Sequence, residues 1–356
     1  MKLTLKIGFL ILLGLTACST SPAAEVSPTK SATPTQSETQ CWNSPLTGLC
    51  ADQSVPVLIV KIDDVKQARP QYALNEADII IVEPVEGGLT RLFAVYQSQQ
   101  PVRVGPIRSA RITDTDLVKA FGKPGFAYSG SMTKLRPYLE AASMQLVGAP
   151  QGGDGYSRDE TRYAPHNYIG DYQTLVGRID DKKAALLQPT STWKISQTPS
   201  DGVQTKNAVV QWPASEKTFV WDTALQLWKI KVFDSKLISL HCCDVVEERA
   251  TTANVFIMNT YLQDSPFGDK FGARTPYPQT IGQGTGWVLT KGKSIAATWK
   301  RPLATDLPRW YNSAGEEIAV SAGNSWWLIT TDRDVVKINT VKPSVSPSAS
   351  ASASKS

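Results

Sequence analysis

The chain has 356 residues, with 37 Lys and Arg against 32 Asp and Glu, 2 His, 41% hydrophobic and 19% charged residues, and a formal net charge of +5. This composition excludes fibrous and wholly disordered chains, and the length suits one large domain or two medium ones with a substantial core. The basic residues form no long run, which argues against a nucleic-acid partner, and any zinc-dependent or Ser-His chemistry would have to use His166 or His241.

At the start, Lys2 and Lys6 precede an apolar run from Ile7 to Leu15 and small residues before Cys18. This is the pattern of an export signal, too short for a membrane span of about 20 residues. The tetrapeptide Leu15, Thr16, Ala17, Cys18 looks like a bacterial lipobox, whose cysteine is acylated and becomes the new N-terminus. At about 0.8 kcal/mol per buried CH2, two acyl chains would anchor the protein to the outer face of the bacterial cell membrane. The expected organisation is a signal over 1–18, a Ser/Thr/Pro-rich tether over 19–40, domains over 41–200 and 201–340, and a disordered Ser/Ala/Pro tail over 341–356.

The other cysteines are Cys41, Cys50, Cys242 and Cys243, an even number in an oxidising compartment. Cys41 and Cys50 flank a loop with a Pro and a Gly, and a disulfide there would contribute roughly 2 to 3 kcal/mol. The run His241, Cys242, Cys243, Asp244 reads as a vicinal disulfide or a pair of buried thiols. Adjacent side chains cannot all point at one ion, so no metal site is expected.

VLIVKI (57–62), DIIIVE (78–83) and LFAVYQ (92–97) read as strands buried on both faces. Helices are expected over 114–121, over 131–143, where Met132, Leu135 and Leu139 recur behind Ser131, and over 171–183. Short strands follow from about Val203, many carrying Trp, whose commoner role in such strands is core packing. The expected class is α+β: an N-terminal mixed α/β lobe, its sheet covered by helices, followed by a β-rich C-terminal lobe.

The specific polar residues concentrate between Asp63 and Asn167, in ARPQ (68–71), LNEAD (74–78), EPVEGGLTRLFAVY (83–96), VGPIRSAR (104–111) and RDETRYAPHN (158–167). In this order the motifs resemble the YerB-like bacterial lipoproteins, envelope proteins with an N-terminal domain of unknown function and a smaller C-terminal domain. The resemblance covers essentially the whole folded part. It implies architecture and an envelope location but no established enzymatic activity, and the Cys41, Cys50 pair and the HCCD run depart from its core pattern.

Within the motifs, Gly87 and Gly88 read as a hairpin turn that brings Glu83, Glu86 and Arg91 together. Arg91, Arg108, Arg111, Arg158 and Arg162 would make an anion-binding cleft if they converge, with Ser109, His166 and Asn167 as further ligand contacts. The same motifs hold Glu76, Asp78, Glu83, Glu86 and Asp159, so an internal Arg–carboxylate network is equally open. For His166 the alternatives are a turn histidine held by its neighbours or a general base oriented by Asp63, Glu83 or Glu86. Phosphate-loop, HExxH, GxSxG and CxxC motifs are absent. The leading expectation is a non-catalytic, lipid-anchored protein binding an anionic cell-envelope component or an envelope protein, with no cofactor. The alternative is a cell-wall hydrolase or transferase using His166 and a neighbouring carboxylate.

Overall fold

The computed structural model describes residues 41–182, 193–241, 246–268 and 272–341. The expected signal with Cys18, the tether, the pair Cys242 and Cys243, and the tail after Val341 lie outside the described residues. Cys41 and Cys50 are disulfide-bonded, their Cα atoms 5.5 Å apart across the two-stranded ladder of Trp42–Asn43 and Cys50–Ala51.

The apolar runs near the start form strands Leu58–Asp63, Ile79–Pro84 and Thr90–Tyr96, every residue of which is buried. Alternate side chains enter different clusters: Ile59, Ile81 and Phe93 join one, and Val60, Val82 and Leu92 the other. A strand covered on both faces needs apolar residues at odd and even positions alike, which is why these runs do not alternate. The three make an antiparallel unit with Thr90–Tyr96 in the middle, paired to Leu58–Asp63 on one side and to Ile79–Pro84 on the other.

Ser325–Thr330, near the end of the chain, lies parallel to Ile79–Pro84 and, on its other side, parallel to Asn254–Asn259. It thereby joins this three-stranded unit to the strands of the second half. Gly282–Thr290, Lys293–Arg301, Val203–Trp212, Ser215–Asp222 and Leu227–Val232 continue the same mixed sheet by antiparallel pairing. Phe219, Trp228 and Ile230 share a cluster with Val60, Ile80 and Val82, so these later strands also help to cover one face of the three-stranded unit.

The expected N-terminal α/β lobe, with helices covering its sheet, is not what forms: the described chain is mostly β. Its α-helices are α1 Asp114–Leu117, α2 Arg136–Ala141 and α3 Tyr172–Val176. α1 passes into a 3-10 turn that stops at Gly122 (φ 73°), and the helix expected over 131–143 shrinks to a 3-10 turn and the six residues of α2. Helices this short depend on tertiary packing, and each buries only a few side chains. Much of the cover comes instead from strands of the second half and their tryptophans. Trp212, Trp228, Trp299, Trp310, Trp326 and Trp327 are all buried.

Candidate functional site

Strand register brings the first charges together. Lys61, in the middle of Leu58–Asp63, has no solvent exposure, and its ammonium is ion-paired with Glu83 and lies 2.7 Å from Asp114 Oδ1 at the start of α1. Burial pushes this ammonium down to about 8, against the opposing pull of Asp114. Arg91, on the middle strand, lies opposite Asp63 on one neighbour and Glu83 on the other and donates from Nη1 to Ser109 O at 2.7 Å. Burial lowers its guanidinium, and the neighbouring Arg111 and Arg108 charges lower it further.

Asp63 is the second centre. Its Oδ2 lies 2.9 Å from Arg108 Nε and 2.7 Å from His166 Nδ1. Glu86 is the third: Arg111 donates to its Oε2 from Nε at 2.8 Å and Nη2 at 2.7 Å, and Thr275 donates to its Oε1. Burial pushes the Glu86 carboxyl up, but Arg111 and the hydrogen bonds outweigh it and hold the group below its ordinary value. Gly87 and Gly88, both at φ 70°, form the turn that carries Glu86 to this position. Four cations (Lys61, Arg91, Arg108, Arg111) thus face four carboxylates (Asp63, Glu83, Glu86, Asp114), and the inner network balances its own charge.

The RDETRYAPHN segment contributes separately. Arg158 donates to Asn167 Oδ1 at 2.7 Å and stacks over Tyr168. Arg162 pairs with Asp159 at 2.8 Å, donates to Ala68 O and lies over the Tyr72 ring. Asn167 Nδ2 donates to Arg162 O. Of this segment, His166 reaches the inner network through Asp63, whereas Arg158 and Asn167 make their polar contacts within the segment and Arg162 makes its contacts with Asp159 and Ala68.

Openings border these groups. A small one of about 250 Å3 is lined by Glu86, Ser109, Arg111, Met132, Phe267 and Thr275. The larger, about 880 Å3, lies between the 64–70 loop, the turn at Leu89 and Thr90, and the Val232–Ile238 hairpin, and includes His166. At its floor Asp64 accepts from the fully buried Lys217 Nζ at 2.6 and 2.8 Å and from Thr90 Oγ1 at 2.5 Å, while Thr90 and Ser215 share a hydrogen bond of 2.8 Å. Lys66, Arg69 and Lys236 line its walls.

Lys61, Asp64, Arg69, Asp114 and Lys217 are absent from the residues proposed as a site from sequence. A signal existed for two of them: Lys61 interrupts an apolar run, and Lys217 occupies an inward position of the strand Ser215–Asp222, between Ser215 and Phe219. Among the described residues, no group of three or more His, Cys, Asp or Glu side chains converges as a metal site.

The profile described as protein of unknown function (DUF3048) N-terminal domain matches residues 46–185, and the corresponding C-terminal-domain profile matches 208–327. A Bacillus subtilis (strain 168) protein named "Putative lipoprotein YerB" is 34% identical over 153 residues, 42% of this chain and 46% of that protein, so the match spans just under half of the relative's length. The crystal structure of YerB from Bacillus subtilis superposes with a TM-score of 0.66 at 22% identity, covering 83% of this chain and 99% of the other, and shows a shared fold. With both domain profiles matched in order, the chain belongs to the DUF3048 family.

Proposed function

We propose that this is a lipid-anchored, extracytoplasmic envelope protein that binds an anionic cell-envelope component, without catalysis, in the larger cleft. The export signal ending at Cys18 and the relative named as a lipoprotein support the location. The observation that carries the binding role is the cleft's charge. Among the described residues its lining carries the acids Asp64 and Glu247 and the cations Lys66, Arg69 and Lys236; Asp64 is neutralised by the buried Lys217 and lies 3.6 Å from Arg69, so the cations still outnumber the acids. Arginine with two lysines suits phosphate or clustered carboxylates. The test is titration of the protein with poly(glycerol phosphate) at low and high salt. Binding should weaken with salt and fall about tenfold when Lys66 and Lys236, both exposed, are changed to Glu. Absence of binding by the parent at low salt, or an unaffected variant, refutes the role.

A second reading, hydrolysis or group transfer on cell-wall material, is favoured by one observation. Asp63 holds His166 at Nδ1, which orients the ring at the cleft wall and leaves Nε2 for proton transfer. Turnover of cell-wall fragments by the parent, lost in His166→Gln, would establish it. No turnover by the parent excludes it.

A further inference from the structure

The hairpin that forms one wall of the larger cleft has an unusual tip. Val232 pairs with Ser235, leaving Phe233 and Asp234 as a two-residue loop. Such loops favour Asn-Gly or Asp-Gly because their backbone enters the left-handed region. Here Phe233 takes that conformation (φ 50°), which is unfavourable for a bulky L residue, and its side chain gains little burial in return, being 47% exposed. Neither backbone preference nor core packing accounts for a phenylalanine at this position. It lines the cleft, as does Leu89, 37% exposed at the turn between Ile79–Pro84 and Thr90–Tyr96. Ile238 and Pro70, both partly exposed, also line it, backed by the buried Val232 and Leu237.

The cationic residues of the cleft lie within the same cavity. Arg69 gives Nη2 to Asp64 O and lies 3.6 Å from Asp64 Oδ1, while its Nε is buried with no hydrogen-bond partner among the described residues. Lys66 and Lys236 are exposed beside it on the loop and on the hairpin. A purely polar polyanion would leave Phe233 and Leu89 facing water, whereas a neutral hydrocarbon would leave the cations unmatched.

Resting on the anion-binding reading of this cleft, we infer that its ligand is an anionic lipid: a phosphate headgroup held by Arg69, Lys66 and Lys236, with the first part of its hydrocarbon chain lying on Phe233 and Leu89. The backbone at Phe233 is then retained for contact with ligand, an instance of unfavourable geometry kept at a binding site.

The test compares three probes by calorimetry, each below its micelle concentration where it has one: glycerol 3-phosphate, monododecyl phosphate and dodecyl maltoside. The protein is the full chain carrying Cys18→Ala, so that no acyl group of its own competes, measured with and without Phe233→Asn. Each buried methylene strengthens binding about fourfold, so monododecyl phosphate should bind at least about tenfold more tightly than glycerol 3-phosphate. Phe233→Asn should weaken the alkyl phosphate about fivefold or more, leave glycerol 3-phosphate unchanged and melt no lower than the parent, because Asn tolerates the left-handed region. Equal affinity for the two phosphates overturns the lipid assignment while the anion reading stands. No binding of either phosphate overturns both. Dodecyl maltoside binding as tightly as monododecyl phosphate refutes the headgroup assignment, and unchanged alkyl phosphate binding by Phe233→Asn refutes the platform.

Discussion

Replacing Lys61 with Met keeps the unbranched apolar stem among Ile59, Phe93 and their neighbours but removes the ammonium. Lys61, Glu83 and Asp114 all have fully buried side chains, and among the described residues Glu83 has no hydrogen-bond partner besides its ion pair with Lys61. The substitution therefore leaves two buried carboxylates with Arg91 as the next nearest cation on the strand opposite. Removing one partner of a buried ion pair costs about 3–5 kcal/mol, and the Asp114 hydrogen bond to Arg111 N is too local to offset that. The expected loss lowers Tm on the order of 10 °C. The double variant Lys61→Met, Glu83→Met removes charge from both members of the pair, and such apolar replacements are often close to neutral, so it should recover more than half of the loss. Urea unfolding followed by fluorescence and far-UV circular dichroism, with coincident transitions and linear extrapolation, measures both variants. A single variant within about 1 kcal/mol of the parent, or a double variant no more stable than the single, refutes the claim that this buried charge is held by its partners.

Asp78 is pushed up to about 6 by burial, in spite of hydrogen bonds from Ser98. A carboxyl whose folded value exceeds its unfolded value of 3.8 stabilises the fold below that lower value, and the contribution is lost as pH rises through 6. Relative to Asp78→Asn, parent stability should therefore fall by about 3 kcal/mol between pH 3.5 and 7, and a flat difference in chemical denaturation refutes it. Changing Cys18 to Ala should move the protein from the membrane fraction to the soluble fraction, and unchanged membrane retention rules out the lipid anchor. Reducing the Cys41–Cys50 bond, which closes a separation of 9, should cost about 2–3 kcal/mol in urea unfolding; equal midpoints with and without reductant would contradict this. Gly88→Ala should cost about 1–3 kcal/mol, since its Cβ would lie 2.6 Å from Pro213 Cβ at φ +70°, whereas Gly87→Ala, with open space around it, should cost about 1. Equal melting temperatures for the two variants refute the packing argument.

Some of the structure is legible in local sequence because its cause is local. Unbroken apolar runs require strands covered on both faces, the paired glycines require a turn near Glu86, and strand tryptophans require a core. The helical spacing of Met132, Leu135 and Leu139 points to a longer helix than forms, because local period does not specify what will pack against it. Motif clustering brings Arg91, Arg108, Arg111, Glu86 and His166 to notice, yet it does not show that Asp63 and Glu86 already occupy Arg108 and Arg111. The cleft was least legible. Lys217 reaches Asp64 across 153 residues, and Phe233 and the 64–70 loop line one cleft although they are far apart in sequence. The sequence by itself determined which segments would be buried and which family the chain would join, since burial pattern and motif order are properties of neighbours along the chain. Only the tertiary structure decided which charges cancel and which remain facing the cleft, because that depends on register between strands far apart in sequence, to which local periodicity is blind.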